Sequence, residues 1–249
     1  MITYSGDVPV EDFCDFKKIE FKFGGRDAVL VCPDETLTTP KWLLKTEYFG
    51  AYSELEVEML KRGWHVAYLK NINRWGLDED MDAKKAFADD LHEKYGLYAK
   101  CVPVGMSAGG LHAIKLAAKY PEMVSALYLD APALNLLSIL NFSGSCAGNE
   151  SFREEILKAL NLTLSELISY RDHPLDKLPA LVAHRIPVIL VYGKADKTCP
   201  FHENGALLVK AYEGMGIDLA VYGKEGCGHH PHGLEDPAPI IDFLTKHAE

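Results

Sequence analysis

Cys101-Val102-Pro103-Val104-Gly105-Met106-Ser107-Ala108-Gly109-Gly110-Leu111 is the stretch that decides the fold. A short apolar run leads into a serine set between Gly105 and Gly109, and a helix-like segment follows from Leu111 to Tyr120. Gly-x-Ser-x-Gly between a strand and a helix reads as a nucleophile elbow. The turn is tight enough that only glycine tolerates the crowding on either side of the serine. It lifts the hydroxyl of Ser107 off the strand tip. The free backbone N–H groups of the next helix then face any negative charge that forms beside it.

Outward from the elbow, the chain alternates between strand and helix. Upstream, Lys18 to Phe23 and Asp27 to Cys32 flank Gly24-Gly25-Arg26 and read as an antiparallel hairpin. Tyr52 to Arg62 is an amphipathic helix with Leu55, Met59 and Leu60 on one side, closed by Gly63. His65 to Leu69 is the next strand, and Met81 to Tyr95 a helix ended by Gly96. Downstream come the strands Ala126 to Leu129, Ile186 to Tyr192 and Ile217 to Tyr222, then a last helix over Ala238 to Lys246. This rhythm predicts an α/β fold with a mostly parallel central sheet flanked by helices. One segment breaks it. About 131–185 contains turns and the helical stretches Glu154 to Leu160 and Leu164 to Tyr170, and predicts a short helical cap inserted into a single domain.

Composition narrows the function classes. A 249-residue chain that is 48% hydrophobic can bury a real core. A net charge of -10, from 26 basic and 36 acidic residues, argues against nucleic acid or an anionic membrane as partner. No apolar run approaches a membrane span, and Met1 to Asp7 lacks the pattern of a signal peptide. A cytoplasmic location is the expectation. The six cysteines fit no zinc spacing and form no C-x-x-C pair, so they read as reduced thiols. Oligomeric state is left open, a homodimer being the commonest arrangement for soluble chains.

A serine is a poor nucleophile until a base takes its proton and an acid orients that base. In this architecture the acid comes next in the chain and the histidine last. The buried run Pro187 to Tyr192 leads into Gly193-Lys194-Ala195-Asp196, which places Asp196 just past a strand end. Its rival is Asp130, at the end of the preceding strand. The base is expected in Gly226-Cys227-Gly228-His229-His230-Pro231-His232-Gly233, with His229 favoured and His230 or His232 as alternatives. Those two could also line the substrate pocket. Adjacent His229 and His230 cannot easily turn both rings to one ion, so no metal is expected. For the oxyanion hole, one donor is the N–H of Ala108. The second is placed in the loop after Asp27 to Cys32; Pro33 has no N–H, so Asp34 or Glu35 is nearest, and Asp34 is taken.

Taken together, these residues resemble the α/β-hydrolases of the serine esterase type, over nearly the whole chain after about residue 18. A closer likeness is to an uncharacterised-esterase branch found beside carbohydrate-degrading enzymes. It rests on Lys41-Trp42-Leu43-Leu44-Lys45-Thr46-Glu47-Tyr48-Phe49-Gly50 and on the ending His229-His230-Pro231-His232-Gly233-Leu234 with Asp236-Pro237. Lys45 stands where that branch has arginine, and lysine cannot give arginine's planar two-pronged contact. Trp42 and Trp75 are read as loop residues that either stack on a sugar face or bury a loop. With Lys45, His230 and His232 they make up the expected pocket.

The resemblance implies hydrolysis of a carboxylic ester, a small acyl group on a carbohydrate or similar alcohol. It implies a small-molecule ester substrate and no cofactor. Three alternatives stand beside it: another acyl hydrolase such as a peptidase or thioesterase, a ligand-binding protein that kept the fold, and a scaffold acting through the cap.

Overall fold

The computed structural model describes residues 10–142, 146 and 150–248. The segment Met1 to Asp7, read above for a leader signal, lies outside these residues. Among the described residues nine strands form one sheet: β1 (Val10–Phe13), β2 (Phe16–Phe23), β3 (Arg26–Cys32), β4 (Trp42–Lys45), β5 (His65–Leu69), β6 (Val102–Met106), β7 (Leu127–Asp130), β8 (Val188–Gly193) and β9 (Leu219–Lys224). The helices are α1 (Glu54–Leu60), α2 (Asp78–Tyr95), α3 (Ala108–Lys119), α4 (Leu136–Ile139), α5 (Glu150–Leu160), α6 (Leu164–Ser169), α7 (Leu178–Ala183), α8 (Gly205–Tyr212) and α9 (Ala238–His247).

The sheet order is β1-β2-β3-β5-β4-β6-β7-β8-β9. From β5 to β9 every pairing is parallel, whereas β1, β2 and β3 form an antiparallel ribbon and β3 also runs antiparallel to β5. Alternation along each strand builds two apolar layers. Ala28, Leu30, Leu44, Leu127, Leu129, Val188 and Leu190 face the layer covered by α2, α3, α7 and α8. Val29, Val31, Leu43, Tyr128, Ile189 and Val191 face the layer covered by α1 and α9. Each valine, leucine and isoleucine among these, when fully buried, stabilises the fold by roughly 1.5–3 kcal/mol.

Outside the interval 131–185, β1, β4 and α8 escape the sequence pattern. β4 is four residues long and buried on both faces, so it shows no alternation. α8 is apolar almost throughout, and its period is weak. The interval 131–185 holds α4 to α7. Among these, α4, α5 and α6 pack with Trp75 and Leu111 as a third apolar cluster. Leu178 and Leu181 of α7 join the main layer under the sheet instead. Among the described residues, no helix is long and apolar enough to cross a membrane.

Candidate active site

Ser107 sits between β6 and α3 with φ 51 and ψ -120, a left-handed conformation that is strained for a residue with a side chain. The strain is held by the neighbouring strand. Ser107 N–H donates to the Asp130 carbonyl at 2.9 Å, and the Ser107 carbonyl accepts from Ala133 N–H at 2.9 Å. Gly105 is required by close approach: a Cβ there would lie 2.7 Å from Gly110 Cα and 2.8 Å from the Gly109 carbonyl oxygen. α3 thus starts directly against β6, with Ala108 as its first residue. The Ala108 N–H has no partner within the helix.

The loop after β9 brings His229 to this serine. His229 Nε2 lies 3.0 Å from Ser107 Oγ, and His229 Nδ1 lies 2.8 Å from Asp196 Oδ2. Asp196 follows β8 and is buried. Its other oxygen accepts from the backbone N–H groups of Thr198 and Cys199 at 2.8 and 2.9 Å. Burial pushes this carboxyl up, but the His229 hydrogen bond and the Cys199 and Thr198 N–H groups together hold it below the usual carboxylate value. A carboxylate that stays ionised here fixes the proton on Nδ1 and leaves Nε2 as the acceptor for the serine hydroxyl.

Asp130, the rival acid, is occupied elsewhere. It is buried at the end of β7 and holds His232 Nδ1 at 2.8 Å, Gly233 N–H at 2.6 Å and the Tyr128 hydroxyl at 2.9 Å. The chain turns back between His229 and His232, one end of the turn pinned by Asp196 and the other by Asp130. The turn gathers the His229, His230 and His232 rings around the cavity over Ser107. One ring nitrogen from each of the three histidines lies within 4.8 Å of the others. His230 is exposed and stacks on Tyr52, with ring centres 5.5 Å apart and planes within 8°. Its imidazolium form is disfavoured, first by partial burial and then by the neighbouring histidines.

Four other expected site residues fall outside the reacting centre. Asp34 is exposed and closes a turn with the Thr36 N–H and hydroxyl, at 2.8 and 2.6 Å. Because β3 runs antiparallel to β5, its end points to the edge where the parallel strands begin, opposite Ser107. The loop that does reach the elbow follows β4. Thr46 Oγ1 lies 2.7 Å from the Gly109 carbonyl, and Glu47 N would stand 3.5 Å from a Cβ on Gly109. Trp42 lies in β4 rather than in a loop, is 1% exposed, and donates from Nε1 to the Tyr98 carbonyl at 2.9 Å at the far end of the sheet. Trp75 is 4% exposed and packs edge-on to Phe152 at 5.8 Å. Neither ring is open to a sugar face. Lys45 is 1% exposed and forms a buried ion pair with Glu56, its ammonium also 3.3 Å from the Ala51 carbonyl. A lysine so enclosed cannot meet a substrate.

Other residues at the site had weak or no sequence signal. A cavity of about 380 Å³ opens over Ser107, lined by Tyr48, Tyr52, Arg74, Phe152 and Thr198 with His229, His230 and His232. Tyr48 stands in the segment Lys41 to Gly50, and Arg74 adjoins Trp75, but no spacing pointed to either. Beneath the β4 loop, Asn71 donates from Nδ2 to the Thr46 carbonyl at 2.8 Å and to the Glu47 carboxylate, and Lys84 donates to the Asn71 side-chain oxygen. Burial pulls the Lys84 ammonium down to about 8. This network fixes the loop against the elbow.

Sheet order, elbow and late histidine together define the α/β-hydrolase fold, and solved structures of that fold superpose on the chain. A puromycin hydrolase matches with a TM-score of 0.66 and 21% identity over 88% of this chain and 35% of its own. The Pyrococcus horikoshii acylaminoacyl peptidase gives 0.68 and 14%, over 94% of this chain and 42% of its own. Est1E from Butyrivibrio proteoclasticus gives 0.64 and 16%, over 96% of this chain and 98% of its own. The chain thus spans only about 35–42% of the length of the first structures it matches. No family model matches the chain, and no curated sequence does either.

Proposed function

We propose that this protein is a serine hydrolase that cleaves a small carboxylic ester through an acyl-enzyme. The observation that carries the reading is the continuous chain Ser107 Oγ–His229 Nε2 at 3.0 Å and His229 Nδ1–Asp196 Oδ2 at 2.8 Å. Ser107 Oγ attacks the acyl carbon as His229 takes its proton. Asp196 orients the imidazole and stabilises the imidazolium. The developing oxyanion is held by the Ala108 N–H and by an N–H of the Glu47–Tyr48 segment, which takes the role expected of Asp34. His229 returns the proton to the leaving alcohol, then activates the water that releases the acid.

A small acyl group fits a cavity of about 380 Å³ whose walls are largely aromatic. The match to the esterase Est1E over 98% of that chain supports an ester bond as the target. The polar hydroxyls of Tyr48, Tyr52 and Thr198 suit an alcohol part such as a carbohydrate. A second reading, cleavage of an aminoacyl amide, is favoured by the similarity to the acylaminoacyl peptidase. No nucleic-acid or membrane partner and no cofactor enters either reading.

The test is labelling with a fluorophosphonate, read by intact mass, on wild type and Ser107→Ala. One adduct on wild type and none on the variant is expected. Equal labelling of both would overturn the nucleophile assignment. Turnover of p-nitrophenyl acetate against an aminoacyl p-nitroanilide then separates the two bonds, with the ester expected to be faster.

A further inference from the structure

The serine reaction needs one histidine, yet three converge over Ser107. Two are prepared alike. His229 Nδ1 is held by Asp196 and His232 Nδ1 by Asp130, each at 2.8 Å and each by a buried carboxylate. Both rings are therefore fixed with Nε2 as the lone-pair nitrogen when neutral. A carboxylate behind a histidine, fixing its tautomer and raising its basicity, is the arrangement metal sites use. Only the His229 pair is used by the proton relay, so the Asp130–His232 pair has no role in it.

The spacing of the ring centres is close to that of three imidazoles on one ion. Zinc–nitrogen bonds of 2.0–2.1 Å and a ring centre about 1.1 Å beyond the nitrogen put the centres of three tetrahedrally bound imidazoles about 5.2 Å apart. The observed centre separations are 4.8, 5.3 and 4.9 Å, with interplanar angles of 69°, 79° and 87°. The bound nitrogens would stand about 3.4 Å apart. One ring nitrogen from each histidine now lies within 4.8 Å of the others, so binding must draw them closer, and His230, which is exposed and held by no carboxylate in the hydrogen bonds seen, is the ring with most room to move. Three neutral imidazoles favour zinc, copper or nickel over magnesium or calcium.

We propose that His229, His230 and His232 form a binding site for a divalent transition-metal ion of the zinc class, and that the bound ion silences the serine. The ion takes the Nε2 lone pair of His229, the same pair that accepts the Ser107 proton, so metal and proton transfer exclude each other. The metal site stands on the histidine geometry; the silencing rests on the serine-hydrolase reading.

The experiment uses chelator-dialysed Ser107→Ala, whose readout does not depend on turnover. Zn2+ is titrated by calorimetry and Co2+ by its visible d–d absorption. One ion per chain is expected, with at least about tenfold weaker affinity in the Ser107→Ala/His230→Ala and Ser107→Ala/His232→Ala variants. His230 is exposed, so the first of these keeps its fold, as checked by circular dichroism. Affinity no tighter than millimolar, or affinity unchanged by His230→Ala, overturns the site. On wild type, Zn2+ should block fluorophosphonate labelling and EDTA should restore it. Labelling unaffected by saturating Zn2+ overturns the silencing. Zn2+ binding in a wild type that never labels upholds the metal site and refutes the hydrolase reading instead.

Discussion

Gly193→Ala puts the placement of His229 under direct strain. Gly193 ends β8, and the loop carrying His229 crosses over it. A Cβ at this position would stand 2.0 Å from the Gly228 carbonyl oxygen and 2.5 Å from that of Cys227. A carbon and a carbonyl oxygen settle at about 3.3 Å, so the Gly228 carbonyl must retreat by about 1.3 Å. Both obstacles are backbone, and the adjoining Ala195 N–H is tied to Cys227 at 2.8 Å, so no side-chain rotation relieves the clash. Gly228 directly precedes His229, and the imidazole moves with it. A misplacement of about 1 Å at a reacting group costs about 100-fold, or about 2.7 kcal/mol of transition-state stabilisation. Overpacking at this site costs stability as well, about 1–3 kcal/mol, which leaves the protein folded. The assay is kcat/KM on p-nitrophenyl acetate and the fluorophosphonate labelling rate, alongside thermal unfolding. Both rates should fall by about two orders of magnitude in a protein that still unfolds cooperatively. A folded variant within threefold of wild type would refute the claim that loop position is set by contact with Gly193.

Asp196→Asn should lower kcat by about 10⁴, because the amide no longer fixes the His229 tautomer; Asp130→Asn should keep fluorophosphonate labelling, and the opposite pattern would exchange the two acids. Lys45→Met leaves the Glu56 carboxylate buried without its cation and should cost about 3–5 kcal/mol in urea unfolding, with part recovered in Lys45→Met/Glu56→Gln; a loss under 1 kcal/mol would show that the pair is not a structural element. Trp42→Phe loses the hydrogen bond to Tyr98, about 1 kcal/mol of stability, and should leave KM for any sugar ester unchanged; a raised KM would return Trp42 to the substrate pocket.

Ser107, Asp196 and His229 stand out in the sequence because each is marked by its immediate surroundings: glycines about a serine, an acid just past an apolar run, a histidine after a glycine. Strand and helix periods are equally local, and they give the alternation, the hairpin and the last helix. What the sequence does not carry is the direction and neighbour of each strand. Asp34 looked like an oxyanion donor because it follows a strand. Only the antiparallel β3–β5 register shows that this strand ends on the wrong edge. Trp42 looked like a loop residue because β4 is too short and too buried to show a period, and Lys45 entered the expected pocket through the family resemblance alone. Asp130 and the three histidines lie about a hundred residues apart, and no local pattern joins them. Hydrogen bonding between distant strands, and the close approach of loops that it permits, decided those points. The glycine-flanked position of the serine was set by short-range sequence; which loop faces it, and what else gathers around it, was set by tertiary structure.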